Sequence, residues 1–215
     1  MFTSDEIESL RESILQAADL SKYDHRTVMP ASIGDAFPHM LEDCQLKYAR
    51  LKLAVAEVLQ PRTIYEVGVG WGVSALAFKE GCPSALFYGI DNADMGVDPS
   101  LAVHAALKTA VADSTTLQAF VHPDGDIDLI HIDGGHGLEH KANDIVKALE
   151  ARPEWLLVDD VNNVMVAAGT FAGLYRAYRC PDLQMLYIGN SHTGNLLVHV
   201  NRQEPDYRGL EVRRT

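Results

Sequence analysis

Basic residues are scarce in this chain: 18 Lys and Arg stand against 30 Asp and Glu, a formal net charge of −12 over 215 residues. Sequence-independent affinity for nucleic acid comes from clustered Lys and Arg on phosphates, so this balance argues against a nucleic-acid partner and favours a small-molecule one. Cysteine is nearly absent too. Cys44, Cys82 and Cys180 lie far apart with no CxxC spacing, which leaves neither a disulfide framework nor a thiolate zinc site. No apolar run approaches the roughly 20 residues that span a bilayer. Residues 1–20 mix acids with apolar side chains, unlike the basic start and unbroken apolar stretch of a secretory signal. The expectation is a cytoplasmic protein without membrane contact, forming one compact domain of N-terminal helices and lid (1–60) followed by a core (61–215). A homodimer is compatible with this composition, although no motif identifies an interface.

Helix and strand signals alternate along most of the chain. Thr3-Ser4-Asp5-Glu6 has the pattern of a capping box, and Ile7, Leu10, Ile14 and Ala18 follow at helical spacing. The segment Ser21 to Pro38, punctuated by Pro30, Gly34 and Pro38, has no sustained period and is a candidate lid, with Tyr23, His25 and Met29 open to substrate contact or to ordinary loop packing. A second helix is predicted over His39 to Leu59, with Cys44, Tyr48, Leu51, Val55 and Val58 on one stripe and Pro61 as its stop. Strand signals follow at Thr63–Gly68, Leu86–Asp91, Thr109–Ala112, Ile127–Asp133 and Trp155–Asp159, with helical stretches between them. That alternation predicts an α/β fold, a Rossmann-like doubly wound and mostly parallel sheet. Gln184–Ile188 and Asn195–Val200, joined by a polar connection containing His192, are expected to close it as an antiparallel hairpin.

The last glycine of a dinucleotide-binding fingerprint is the informative absence in the first strand-to-helix turn. After Gly68 and Gly70, Val73 stands where a dinucleotide-binding GxGxxG would carry its last glycine. What is present is Glu66-Val67-Gly68-Val69-Gly70-Trp71-Gly72, a turn that lets backbone approach a ligand closely. Acids recur at the C-terminal ends of the predicted strands: Glu66, Asp91, Asp133 and the doublet Asp159-Asp160. Ligands of open α/β sheets bind at those ends. A single carboxylate there is equally a helix cap or turn residue, so the recurrence carries the signal.

The ExGxGxG turn followed by Asp91 resembles the class I S-adenosylmethionine-dependent methyltransferases over about Arg62 to Val200. The resemblance implies that Gly68 and Gly70 lie against the methionine part of S-adenosylmethionine, that Asp91 accepts hydrogen bonds from the ribose hydroxyls, and that Asp113-Ser114 contacts adenine. A sulfonium carries no phosphate and is favoured by nearby carboxylates, a need that Glu66 fits and Asp133 would share. Trp71 has two readings, lining the pocket or packing between helix and sheet.

His131-Ile132-Asp133-Gly134-Gly135-His136 and Val158-Asp159-Asp160 further resemble the metal-dependent small-molecule O-methyltransferases of catechol and macrolide-sugar type. That resemblance implies a divalent metal, Mg²⁺ by its hard carboxylate donors, on Asp133, Asp159 and Asp160. It also implies His136 as general base, against a structural alternative in which it caps a helix or bonds a carbonyl. His140 and His131 are expected to support the site or to be satisfied core or solvated residues, and Asn162-Asn163 to cap a helix or add an oxygen ligand. The function expected is methylation of a hydroxyl on a small sugar-like or natural-product molecule. Two other readings stay open: a transferase that uses no metal, and a non-catalytic module that binds S-adenosylmethionine.

Overall fold

The computed structural model describes residues 2–29, 34–35, 38–93, 107–177, 183–189 and 194–200. Cys180, Pro30 and His192, and with them part of the proposed lid and the hairpin loop, lie outside the described residues. The strands are β1 (Thr63–Val67), β2 (Leu86–Asp91), β3 (Leu107–Val111), β4 (Leu129–Ile132), β5 (Trp155–Asp159), β6 (Leu183–Ile188) and β7 (Asn195–Val200). They form one seven-stranded sheet in the order β3-β2-β1-β4-β5-β7-β6. All neighbouring pairs are parallel until β7, which runs antiparallel to both β5 and β6. The doubly wound α/β sheet with an antiparallel closing hairpin is therefore the one expected from the sequence.

Burial explains which residues became strands. Every residue of β1, β4 and β5 is buried, as the inner strands of a sheet covered on both faces must be. Edge strand β3 buries only its first residue, Leu107. Alternate side chains divide between two cores: Ile64, Leu129 and Leu157 pack on one face, and Ile130, Ile132, Leu156 and Val158 on the other. Each such side chain contributes roughly 1.5–3 kcal/mol of transfer free energy.

Among the described residues, the layers are completed by helices α1 (Ser4–Leu20), α2 (Asp43–Leu59), α3 (Val73–Gly81), α4 (Leu138–Glu150) and α5 (Val164–Arg176). The capping box is formed as expected, with the Thr3 side chain accepting from the Glu6 amide and the Glu6 carboxylate accepting from the Thr3 amide. The second predicted helix begins later than expected, because a 3-10 turn occupies Pro38–Leu41 before α2. Helices α1, α2 and α3 supply Ile14, Leu51, Val55 and Phe78 to the first core, while α4 and α5 bring Ile145 and Leu174 to the second. Among the described residues, no helix is long and apolar enough to cross a membrane.

Candidate active site

The strand order reverses between β1 and β4, whose neighbours lie on opposite sides, and a crevice opens beyond their C-terminal ends. It is a cavity of about 390 Å³ with Gly70, Asp91 and Ser114 toward one side and Asp133, His136 and Asp160 among its other lining residues.

The glycine turn has two separate requirements. Gly68 sits at φ +89°, and a Cβ there would meet the Asp133 carbonyl carbon and oxygen at 2.6 Å, so the ends of β1 and β4 close together only because this side chain is missing. Gly70 sits at φ +51° with nothing within 4 Å of a built Cβ, so its backbone faces open space. Its N–H donates to Asp91 Oδ2 at 2.8 Å, and the Ala93 N–H reaches Asp91 Oδ1 at 3.2 Å. The turn thus fixes the carboxylate at the end of β2 on the cavity wall, where a diol such as ribose can donate to it. Trp71 satisfies both of its readings, lining the cavity while packing beside Tyr48 and Val73.

Asp113 and Ser114 also line the cavity, but they are differently occupied. Asp113 is exposed, and its Oδ1 accepts from the Thr115 N–H at 2.8 Å and the Thr115 hydroxyl at 2.7 Å. Those bonds hold its carboxyl below its ordinary pKa. Ser114 is buried, with its hydroxyl 2.9 Å from His140 Nε2. His140 consequently lines the cavity instead of lying in solvent.

Two sequence expectations need correction. Glu66 does not line the cavity: it is fully buried, its Oε1 accepts from the Ser74 hydroxyl, and the same oxygen lies 2.7 Å from His131 Nδ1. Burial pushes Glu66 up to about 8 and drives His131 well below its ordinary value, so both are neutral at pH 7. Among the described residues, the Oε2 of Glu66 and the Nε2 of His131 have no hydrogen-bond partner. Alternation on β1 turns the side chain of Glu66 toward the helix-covered face, and that is the physical reason it cannot meet a ligand.

The lid residues take the second of their two readings, ordinary loop packing. His25 is fully buried with Nε2 2.8 Å from the Met40 carbonyl oxygen, and Tyr23 and Met29 pack against the cluster around Tyr48. None of the three lines the cavity; Met40 and Gln45, which follow the lid, do. Asn163 caps α5 through the Met165 N–H, and Asn162 accepts from the Tyr187 hydroxyl, so both asparagines take the structural reading.

The second correction concerns the acids expected to bind metal. Asp133, Asp159 and Asp160 do stand at the same end of the sheet, but each has a different resident partner. Tyr48, reaching down from α2, donates its hydroxyl to Asp133 Oδ2 at 2.7 Å. Lys52, one turn further along α2, donates from Nζ to Asp159 Oδ2 at 3.1 Å and to Asn195 Oδ1. His136 Nε2 lies 2.6 Å from Asp160 Oδ2. The side-chain donors that approach one another within 4.8 Å form two sets, His131–Asp133–Asp159 and Asp133–His136–Asp160, and neither contains all three acids. The three-carboxylate set implied by the resemblance is thus not gathered as one group of donors among the described residues, and a lysine ammonium is bonded to one of its members.

The surroundings set the electrostatics. Burial and the Asp159 charge push Asp133 up to about 8, opposed by Lys52 and the Tyr48 hydroxyl. Tyr48 is raised well above its ordinary value by burial and by Asp133. Lys141, also buried, donates to the Gly134 carbonyl at 3.3 Å, and burial lowers its pKa. Asp160 is one of the few non-glycine residues at positive φ, +60°, and its N–H donates to Asp159 Oδ1 at 2.8 Å. Aspartate tolerates that left-handed conformation better than most residues, and it turns the carboxylate toward His136. His136 is exposed at the cavity rim with 56% of its side chain accessible.

Lys52, Tyr48 and Asn195 were not read as site residues from the sequence. Tyr48 had the position of a core residue, and Asn195 that of a strand start. The available signal for Lys52 was a lone charge inside the otherwise apolar stretch Leu51–Ala56 of a helix. Such a charge is almost never fully buried without a partner.

Comparison with solved structures places this architecture among methyltransferases. The chain is similar to the O-methyltransferase TomG from Streptomyces achromogenes, involved in tomaymycin synthesis and solved with S-adenosylmethionine: 18% identity, TM-score 0.59, covering 93% of this chain and 99% of that one. A methyltransferase from Geobacter sulfurreducens matches at 16% identity and TM-score 0.59, over 93% of this chain and 98% of that one. The methyltransferase PaMTH1 from Podospora anserina, bound to S-adenosylhomocysteine, matches at 13% identity and TM-score 0.56, over 93% and 97%. No family model and no curated protein matches the chain. The fold is that of the class I S-adenosylmethionine-dependent methyltransferases.

Proposed function

We propose that this protein is an S-adenosylmethionine-dependent O-methyltransferase acting on a hydroxyl of a small molecule. The observation that carries this reading is one cavity, at the sheet's reversal point, with a carboxylate-bearing glycine turn and a histidine–aspartate pair in its lining. The residues fit the cofactor: the open backbone at Gly70 admits the methionine portion, Asp91 presents oxygen toward a ribose diol, and Ser114 with His140 offers polar atoms to a base edge. When bound, the cofactor supplies an electrophilic methyl group on a sulfonium.

The remaining chemistry falls to the chain. A carboxylate only accepts, so in the bond to Asp160 the proton sits on His136 Nε2, leaving the Nδ1 lone pair for an acceptor hydroxyl. Asp160 fixes that tautomer and stabilises the imidazolium formed when the proton is taken. The cavity walls would hold the acceptor oxygen in line with the methyl group and sulfur of a bound cofactor, which would leave as the thioether, and this positioning would supply much of the acceleration. TomG serves a natural-product synthesis, and the acceptor proposed here is likewise a sugar-like or other hydroxylated natural product.

The sequence reading added a divalent metal to this reaction. The pairing of Lys52 with Asp159 favours the alternative already open there, a transferase that uses no metal. Calorimetric titration with S-adenosylmethionine tests the main reading: one molecule should bind per chain, and Asp91→Ala should weaken it. Absence of binding would overturn the function. A panel of catechols, sugars and phenols, assayed for S-adenosylhomocysteine release, then identifies the acceptor class.

A further inference from the structure

Lys52 belongs to no motif that suggested the function, yet it reaches the centre of the acid cluster. We infer that Lys52 is the resident cation of the transfer site, supplying from within the chain the positive charge that the metal-dependent relatives take from a divalent ion. The inference rests on the function proposed above and adds a positioning residue to it.

The ammonium is fully buried and so is its partner, at 0% and 1% side-chain exposure. Its contacts among the described residues include Asp159 Oδ2 at 3.1 Å, Asn195 Oδ1, and the face of the Tyr48 ring, 4.4 Å from the ring centroid. A buried ammonium persists only where pairing and hydrogen bonds offset its lost hydration, and these three groups provide them from α2, β5 and β7. Tyr48 also donates to Asp133, so one turn of α2 neutralises one acid of the expected metal set and hydrogen-bonds a second. An ion entering the His131–Asp133–Asp159 group would meet that ammonium at close range, a like-charge contact in a poorly screened interior.

The same contacts give Lys52 a route to the reacting end. It anchors Asp159 through Oδ2, while Asp159 Oδ1 accepts from the Asp160 N–H at 2.8 Å. That bond supports the left-handed turn at Asp160, which directs Oδ2 to His136. Lys52 does not line the cavity. It acts through Asp159 on the aspartate that orients the base.

The test is manganese binding by electron paramagnetic resonance, using MnCl₂ on the full chain saturated with S-adenosylhomocysteine. Wild type should leave the free Mn²⁺ signal undiminished at equimolar concentration, and its melting temperature should not respond to MnCl₂ or MgCl₂. Lys52→Met, which removes the ammonium from Asp159, should bind Mn²⁺ at least roughly tenfold more tightly than wild type and be stabilised by it, an effect of the size seen when a site's supporting partners change. Stoichiometric Mn²⁺ binding by wild type, for instance at Asp133–His136–Asp160, would overturn the inference. So would a folded Lys52→Met that gains no metal affinity, since a merely structural lysine predicts none. If Lys52→Met does not fold, the wild-type titration still decides. S-Adenosylhomocysteine binding measured on the same samples separates a failure of this inference from a failure of the proposed function.

Discussion

The two ends of the cavity are built by different means. At the cofactor end, Asp91 is fixed by backbone N–H groups from its own turn and the neighbouring one, at Ala93 and Gly70. At the transfer end, Asp133 and Asp159 are fixed by side chains from α2, far away in the sequence. Backbone donors come with the local conformation and are set once the glycine turn forms. Side-chain donors arrive only when a helix packs, and here they bring a buried charge with them. A ligand site made of turns is thus separable from the rest of the core, whereas the transfer end is also part of what holds the helical layer to the sheet.

That contrast is open to attack at both ends. His136→Ala should lower turnover by roughly 10² to 10⁴ with S-adenosylmethionine affinity preserved, the range for loss of a general base, measured by steady-state kinetics beside calorimetry. An unchanged rate would make the histidine structural and remove the chemistry from the transfer end. Lys52→Ala leaves Asp159 buried without its ammonium and should cost about 3–5 kcal/mol in denaturant unfolding, the size of a broken buried pair. A loss well under that would mean that the transfer end is not woven into the fold.

Asp91→Ala should weaken S-adenosylmethionine about 10- to 100-fold, the equivalent of lost charge-assisted hydrogen bonds, while the melting temperature changes little. Large destabilisation there would erase the difference between the two ends. Glu66 sharpens the comparison through pH. Its folded pKa, raised to about 8, exceeds its ordinary value of 4.5, so its contribution is fully present below pH 4.5 and is lost as pH rises toward 8. Glu66→Gln should therefore flatten part of the decline in thermal stability between about pH 5 and 8. The smallest effect expected is at a site remote from both ends: Thr3→Ala, which breaks the capping box of α1, should cost about 0.5–2 kcal/mol and leave ligand binding alone.

Legibility followed the same division. Strands β2, β5 and β7 were bounded from sequence as they stand in the structure, because apolar runs ended by turn residues report burial directly. The start of α2 was misplaced because the periodic pattern runs on through the 3-10 turn at Pro38–Leu41. Asp91, Gly68 and Gly70 were legible as a group because their spacing is local. Asp133, His136 and Asp160 were each legible, and the structure brings their side chains together. Glu66 was misjudged because a carboxylate beside a glycine turn looks the same in sequence whether it faces a ligand or an interior histidine.

The sequence by itself determined the alternating strands and helices, the tight turn after β1 and the acids at the strand ends, since each depends on neighbours a few residues away. Only the tertiary structure decided which of those acids are available. Tyr48 and Lys52 lie on one face of a helix whose pattern identifies it as a core helix, and nothing in that pattern says which strand ends it will cover. The choice follows from packing α2 onto the sheet, which places an ammonium on Asp159 and a phenol on Asp133, and leaves Asp160 with His136.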